Sequence, residues 1–75
     1  MTRRLYEVSI KYLYKGMDVY VDSPIWERDF KRNQPYEVKE VTLDPCGIYA
    51  TLMNDEGRLC DVEINGLYAY RTDQR

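Results

Sequence analysis

Ile48-Tyr49-Ala50-Thr51-Leu52-Met53-Asn54-Asp55-Glu56-Gly57-Arg58-Leu59-Cys60-Asp61-Val62-Glu63-Ile64 decides the fold of this chain. Its centre, Asn54-Asp55-Glu56-Gly57, is turn chemistry: Asn and Asp side chains bond nearby backbone, and glycine takes the left-handed position that closes a hairpin. Pairing Asn54 with Arg58 fixes every later cross-strand pair by counting, because strand side chains alternate between two faces. Leu52 then faces Cys60, Ala50 faces Val62 and Ile48 faces Ile64. These apolar side chains share one face, and Thr51, Asp61 and Glu63 take the other. The pattern is that of an antiparallel hairpin buried on one side.

Upstream, Asp44-Pro45-Cys46-Gly47 has the order a type I turn prefers, aspartate first, proline second and glycine last. Tyr36 and Val38 alternate on one phase, Val41 and Leu43 on the other, so an extra residue near Lys39 and Glu40 restores one buried face. That is the mark of a β-bulge. At the N-terminal end, Val8, Ile10 and Tyr12 follow Tyr6 at every second position, with Glu7, Ser9 and Lys11 between them, which predicts a half-buried strand. Leu13, Gly16 and Met17 lead into a second alternating run at Val19 and Val21, with Gly16 at the turn.

Residues 22–35 break the alternation with Pro24, Asn33 and Pro35, and form one long loop. Ser23 before Pro24 is a helix-start signal, and in a short helical turn Trp26 and Phe30 share a face. Downstream, Asn65-Gly66 predicts a tight turn, Leu67 to Tyr70 a last short strand, and Thr72 to Arg75 a frayed tail. The expected organisation is one domain over 1–75, with an extra N-terminal strand within 1–12, a long loop over 22–35 and a tail over 72–75.

With 75 residues, a chain of this length buries only about 60% of the surface its unfolded form exposes. Little side-chain volume is left to wall a deep, dry pocket. The 44% hydrophobic and 32% charged content is that of a folding chain. Eleven basic residues against thirteen acidic ones give a formal charge of −2, so no global field draws the protein to nucleic acid or anionic lipid. Glu7 and Lys11 interrupt the apolar run that a signal peptide after Met1-Thr2-Arg3-Arg4 would need, and no stretch reaches the roughly 20 apolar residues of a membrane span. The expected location is the cytoplasm, without a membrane partner. Cys46 lies six residues from Leu52, the partner of Cys60, about 20 Å at strand rise. A disulfide tolerates about 7 Å, so both thiols are expected reduced and structural.

The sequence contains no histidine. The side chain that titrates near neutrality and the commonest metal ligand are both missing, and no Ser-His or Cys-His pair exists. Two cysteines do not make a tetrahedral zinc site, and the dispersed glycines make no phosphate-cradling run. The carboxylates fall on the polar phase of strands and in turns, a solvated face. The expectation is a non-enzyme without cofactor or metal.

The succession of strand, long loop, bulged strand, tight turn, strand, glycine turn, strand, short turn and final strand resembles the SH3-like small barrels, including the Tudor and KOW groups. The resemblance covers about Leu13 to Tyr70. It rests on Gly16-Met17-Asp18-Val19-Tyr20-Val21, Tyr36-Glu37-Val38, the Asp55-Glu56-Gly57 hairpin and Ile64-Asn65-Gly66-Leu67. It implies a mainly β fold, a small barrel of five to six antiparallel strands. The Ala-Leu-Tyr-Asp-Tyr signature of peptide-binding SH3 domains is absent, so proline-rich ligand recognition is not carried over. The Val8 to Tyr12 strand is additional, with a sheet edge or a second copy of the chain as its partner.

Eight tyrosines, one tryptophan and one phenylalanine exceed what so small a core holds. Tyr20 and Tyr49 alternate away from their aliphatic neighbours, Trp26 and Phe30 lie in the loop, and Tyr68 and Tyr70 close the chain. Such aromatics either lid the open ends of a barrel or form a contact surface, tyrosine and tryptophan supplying area at low entropy cost. Tyr6, Tyr12 and Tyr36 fit the lid. Arg28, Lys31 and Arg32 flank Trp26 and Phe30. This mixture serves single-strand nucleic-acid binders, although Glu27 and Asp29 dilute it. The expected function is binding of another protein through Trp26, Phe30 and the neighbouring tyrosines, steered by Arg28, Lys31 and Arg32. By analogy this is an adaptor or inhibitor of the kind phages and mobile elements encode. The alternatives are a KOW-like or Tudor-like nucleic-acid binder and a homodimer formed through the N-terminal edge.

Overall fold

The computed structural model describes residues 5–70. Six strands form one antiparallel sheet in the order β1-β6-β2-β3-β4-β5. They are β1 (Leu5–Glu7), β2 (Asp18–Val21), β3 (Tyr36–Asp44), β4 (Gly47–Met53), β5 (Leu59–Glu63) and β6 (Leu67–Tyr70). Two 3-10 turns, Pro24–Trp26 and Ile64–Gly66, are the helical segments among the described residues.

The central hairpin has the register that the turn dictates. Leu52 faces Cys60 and Ala50 faces Val62 across β4 and β5, and all four are buried. Asn54 accepts the amides of Glu56 and Arg58 on its Oδ1 at 3.0 and 2.9 Å, and Gly57 sits at φ 83°, the left-handed region other residues avoid. Asp44 Oδ1 likewise accepts the amides of Cys46 and Gly47 at 2.8 and 3.0 Å. The β3–β4 ladder shifts register between Val38 and Glu40, where the change of phase asked for a bulge. Val19, Val21, Val38, Leu52, Val62 and Leu67 gather in one core. Inward faces of strands from β2 to β6 meet only if the sheet bends, and a bulge bends its strand.

The sheet stays open. Among the described residues β1 and β5 are its edges and no ladder joins them. The N-terminal alternation also ends sooner than expected. β1 stops at Glu7, Val8 makes one more bond to the Leu67 carbonyl at 3.1 Å, and the chain then turns, the Tyr12 amide bonding the Ser9 carbonyl at 2.9 Å. The cause is the partner: β6 begins at Leu67, directly after a 3-10 turn, so Ile10 and Tyr12 have no strand beside them and are 52% and 41% exposed. Asn65-Gly66 forms that 3-10 turn and not a two-residue hairpin, because β6 pairs with β2 and β1, not with β5. The tail over 72–75 lies outside the described residues, as do Arg3 and Arg4.

Candidate functional site

The loop between β2 and β3 is the largest irregular segment, and its own sequence orders it. Pro24 presets the backbone for the first 3-10 position. The Trp26 amide bonds the Ser23 carbonyl at 3.0 Å, and the Asp29 and Phe30 amides both bond the Trp26 carbonyl, at 3.1 and 3.0 Å. The Ser23 hydroxyl makes no cap bond. Ser23 instead packs against Gly66, where an added Cβ would stand 3.2 Å from the Ser23 Cβ. A side chain at Gly66 would need the Ser23 segment to give way by a few tenths of an ångström.

Trp26 and Phe30 do share a face, meeting edge to face with centroids 5.9 Å apart, and Phe30 repeats this against Tyr36 at 4.9 Å. Phe30 is 3% exposed and belongs to the core. Its ring is buried and not on the surface where a contact residue was expected: the loop folds inward and anchors on the core there. Beyond Phe30, the Lys31 amide donates to the Tyr36 hydroxyl at 2.9 Å and that hydroxyl donates to Asp55 Oδ2 at 3.0 Å. Gln34 Nε2 reaches Asp55 Oδ1 at 3.0 Å. Burial, then the nearby Asp55 carboxylate, push the Tyr36 phenol above its ordinary range, partly offset by the Lys31 amide. The long loop is thereby tied to the tip of the β4–β5 hairpin.

Held this way, the loop forms one wall of a groove of about 430 Å³. Pro24, Ile25 and Trp26 stand on the loop side, Tyr49, Asp61 and Glu63 on the sheet side, with Asn65 and Gly66 from the second 3-10 turn. Ile25 is 82% exposed, Trp26 and Tyr49 are half-buried. Among the described residues no lysine or arginine lines the groove, whereas Asp22, Asp61 and Glu63 do. Asp22 is bridged by Arg32 at 3.3 Å, and Asp61 accepts the Thr51 hydroxyl at 2.6 Å. The Tyr49 phenol is raised by desolvation and then by Glu63 and Asp44.

The structure separates residues that the sequence reading grouped. Trp26 and Tyr49 share the groove. Tyr20 and Tyr68 line a second depression of about 340 Å³, with Leu5, Asn33 and Arg32. Tyr70 meets Tyr20 edge to face at 5.5 Å. Lys31 and Arg32 border a third depression of about 240 Å³ with Trp26 and Glu27, and Arg28 is exposed. Arg32 also approaches Glu27 at 3.8 Å, so its charge is shared between two carboxylates. Ile25, Asp61 and Glu63 were missed as groove residues. A proline followed by an exposed isoleucine in a loop was the available signal, whereas the approach of β5 to that loop is set by tertiary packing.

Among the described residues no three His, Cys, Asp or Glu side chains cluster closely enough to hold a metal, and no helix is long and apolar enough to cross a membrane. Cys46 is exposed and Cys60 buried, both as free thiols. No family model matches the chain, and no curated protein or solved structure matches it significantly.

Proposed function

We propose that this chain is a non-catalytic protein-binding module with an SH3-like barrel architecture, an adaptor or inhibitor of the phage or mobile-element kind acting in the cytoplasm. Its contact surface is the groove between Pro24–Trp26 and β5. The observation that carries the reading is Ile25, an aliphatic side chain 82% exposed on an ordered turn beside a half-buried tryptophan. Exposing it costs hydration free energy with no folding gain, and aromatic anchors flanked by apolar surface are the residues interfaces use. The acidic lining and the pairing of Arg32 with Asp22 and Glu27 weigh against the nucleic-acid alternative, which needs free positive charge.

The test is affinity capture from bacterial lysate, with and without nuclease, using wild type and the Ile25→Ala, Trp26→Ala double variant, whose fold is checked by its melting transition. A nuclease-resistant protein partner retained by wild type and lost by the folded variant supports the reading. Capture of nucleic acid, or of the same partner by both proteins, overturns it.

A further inference from the structure

We infer that β5 accepts an extended basic segment of the partner as an added antiparallel strand, with its lysines or arginines opposite Asp61 and Glu63. The inference rests on the protein-binding reading and gives the partner a chemistry and a backbone conformation.

The first ground is the ladder. The Asn54 amide bonds the Arg58 carbonyl at 2.8 Å, which makes Asn54 and Arg58 a hydrogen-bonded pair. Antiparallel pairs alternate, so Leu52–Cys60 and Ala50–Val62 are also bonded pairs, whereas Met53–Leu59, Thr51–Asp61 and Tyr49–Glu63 are not. The short bond from the Thr51 hydroxyl to Asp61, 2.6 Å, fits the closer side-chain approach of a non-bonded pair. The amides and carbonyls of Leu59, Asp61 and Glu63 therefore point away from β4. β5 is the last strand of the sheet, with no ladder on its outer side among the described residues. The Glu63 carbonyl serves the Ile64–Gly66 3-10 turn that it caps, so the outward row consists of the amides of Leu59, Asp61 and Glu63 and the carbonyls of Leu59 and Asp61. A row of such groups is a template for another strand.

The second ground is charge. Side chains directly opposite each other across an added strand interact, and β5 offers Leu59, Asp61 and Glu63 outward, all exposed. A second copy pairing β5 with β5 would set carboxylates against carboxylates, and β1 would bring Glu7 to the same edge. Self-pairing is thus disfavoured, and a segment with basic residues at every second position is complementary. Its intervening side chains project to the other face of the sheet, the one that carries Cys60 and Val62. Asp22, already held by Arg32, contributes less than Asp61 and Glu63.

The probe is a capped Lys-Val-Lys-Val-Lys peptide, titrated into isotopically labelled protein and followed by backbone amide shifts. Two isomers N-methylated at the lysines or at the valines, and a Glu-Val-Glu-Val-Glu control, complete the set. Strand addition predicts binding of the lysine peptide with shifts and exchange protection at Leu59, Asp61 and Glu63, at least tenfold weakening in the Asp61→Asn, Glu63→Gln variant, no binding of the glutamate peptide, and loss with the lysine-methylated isomer alone. Equal binding of both methylated isomers, or shifts confined to Ile25 and Trp26, overturns strand addition while leaving the groove reading intact. Absence of binding by any peptide overturns the inference as well. Loss of the lysate partner from the Ile25, Trp26 variant is an independent readout, so the two failures are distinguishable.

Discussion

The Tyr36 hydroxyl donates to Asp55 Oδ2 at 3.0 Å, joining the first residue of β3 to the tip of the β4–β5 hairpin nineteen positions away. The same oxygen accepts the Lys31 amide at 2.9 Å. Removing it leaves a partly buried amide and a carboxylate oxygen without this partner. Tyr36→Phe is therefore expected to lower stability at neutral pH by about 1–3 kcal/mol, measured by urea denaturation.

The pH dependence of that bond has a definite sign. Burial, followed by Asp55, raises the folded phenol above its ordinary value of 10.0, so the unfolded chain loses the proton first. Stability falls as pH rises through the unfolded value and keeps falling until the folded phenol ionises. Tyr49 is raised as well, so the alkaline decline has two contributors. Tyr36→Phe is expected to make the decline shallower, not abolish it, in melts recorded from pH 8 upward.

Asn54 is buried, with Oδ1 accepting two amides and Nδ2 donating to Asp29 Oδ1 at 3.4 Å. Asn54→Ala leaves both amides unpaired and is expected to cost about 1–3 kcal/mol. Asn54→Asp keeps an acceptor but sets a second carboxylate against Asp29. Its deficit relative to wild type is expected to narrow as pH falls and the introduced carboxyl takes up a proton, because that removes the repulsion. A deficit that is constant with pH would show that the Asp29 contact contributes nothing.

The hairpin that carries Asn54 was readable because its determinants are local: a turn of fixed length sets the register, and alternation sets the faces. The bulge near Glu40 was readable for the same reason, as a change of phase between Val38 and Val41. Ile10 and Tyr12 alternate as cleanly as Val19 and Val21, yet no strand lies beside them, and partner length is a tertiary property absent from local pattern. Leu43 illustrates the same limit: it keeps the inward phase but sits at the far end of the hairpin and is 64% exposed. Of the site, Trp26 and Tyr49 were legible as surplus aromatics. Phe30 looked equivalent to Trp26, and only the packing of the loop against Tyr36 distinguishes anchor from surface.

That distinction is measurable. Phe30→Ala empties a core position between Trp26 and Tyr36 and is expected to cost about 3–5 kcal/mol, enough to unfold a domain of marginal stability. Trp26→Ala removes a half-buried ring and is expected to leave a folded protein with a lower melting temperature. Circular dichroism melts of the two variants check this; similar stabilities would place Phe30 outside the core.

Of the two thiols, Cys60 reports on the loop and the β4–β5 hairpin, and Cys46 serves as an exposed reference. Cys46 is exposed in the β3–β4 turn, and Cys60 is buried in the core opposite Leu52, toward the β4–β5 tip at the other end of β4. Desolvation, then Asp29, raise the Cys60 thiol, with Arg58 opposing, and only the thiolate reacts with a disulfide reagent. One fast and one slow phase are expected on mixing with Ellman's reagent at pH 8, the slow phase belonging to Cys60 and lost in Cys60→Ser. Because reagent reaches Cys60 only when the loop or hairpin opens, the slow rate follows the opening equilibrium. Tyr36→Phe weakens the tie between those segments and is expected to accelerate the slow phase by about five- to 150-fold, the equivalent of the 1–3 kcal/mol lost. An unchanged slow rate in a destabilised variant would mean that Cys60 is reached by a route the Tyr36–Asp55 bond does not guard.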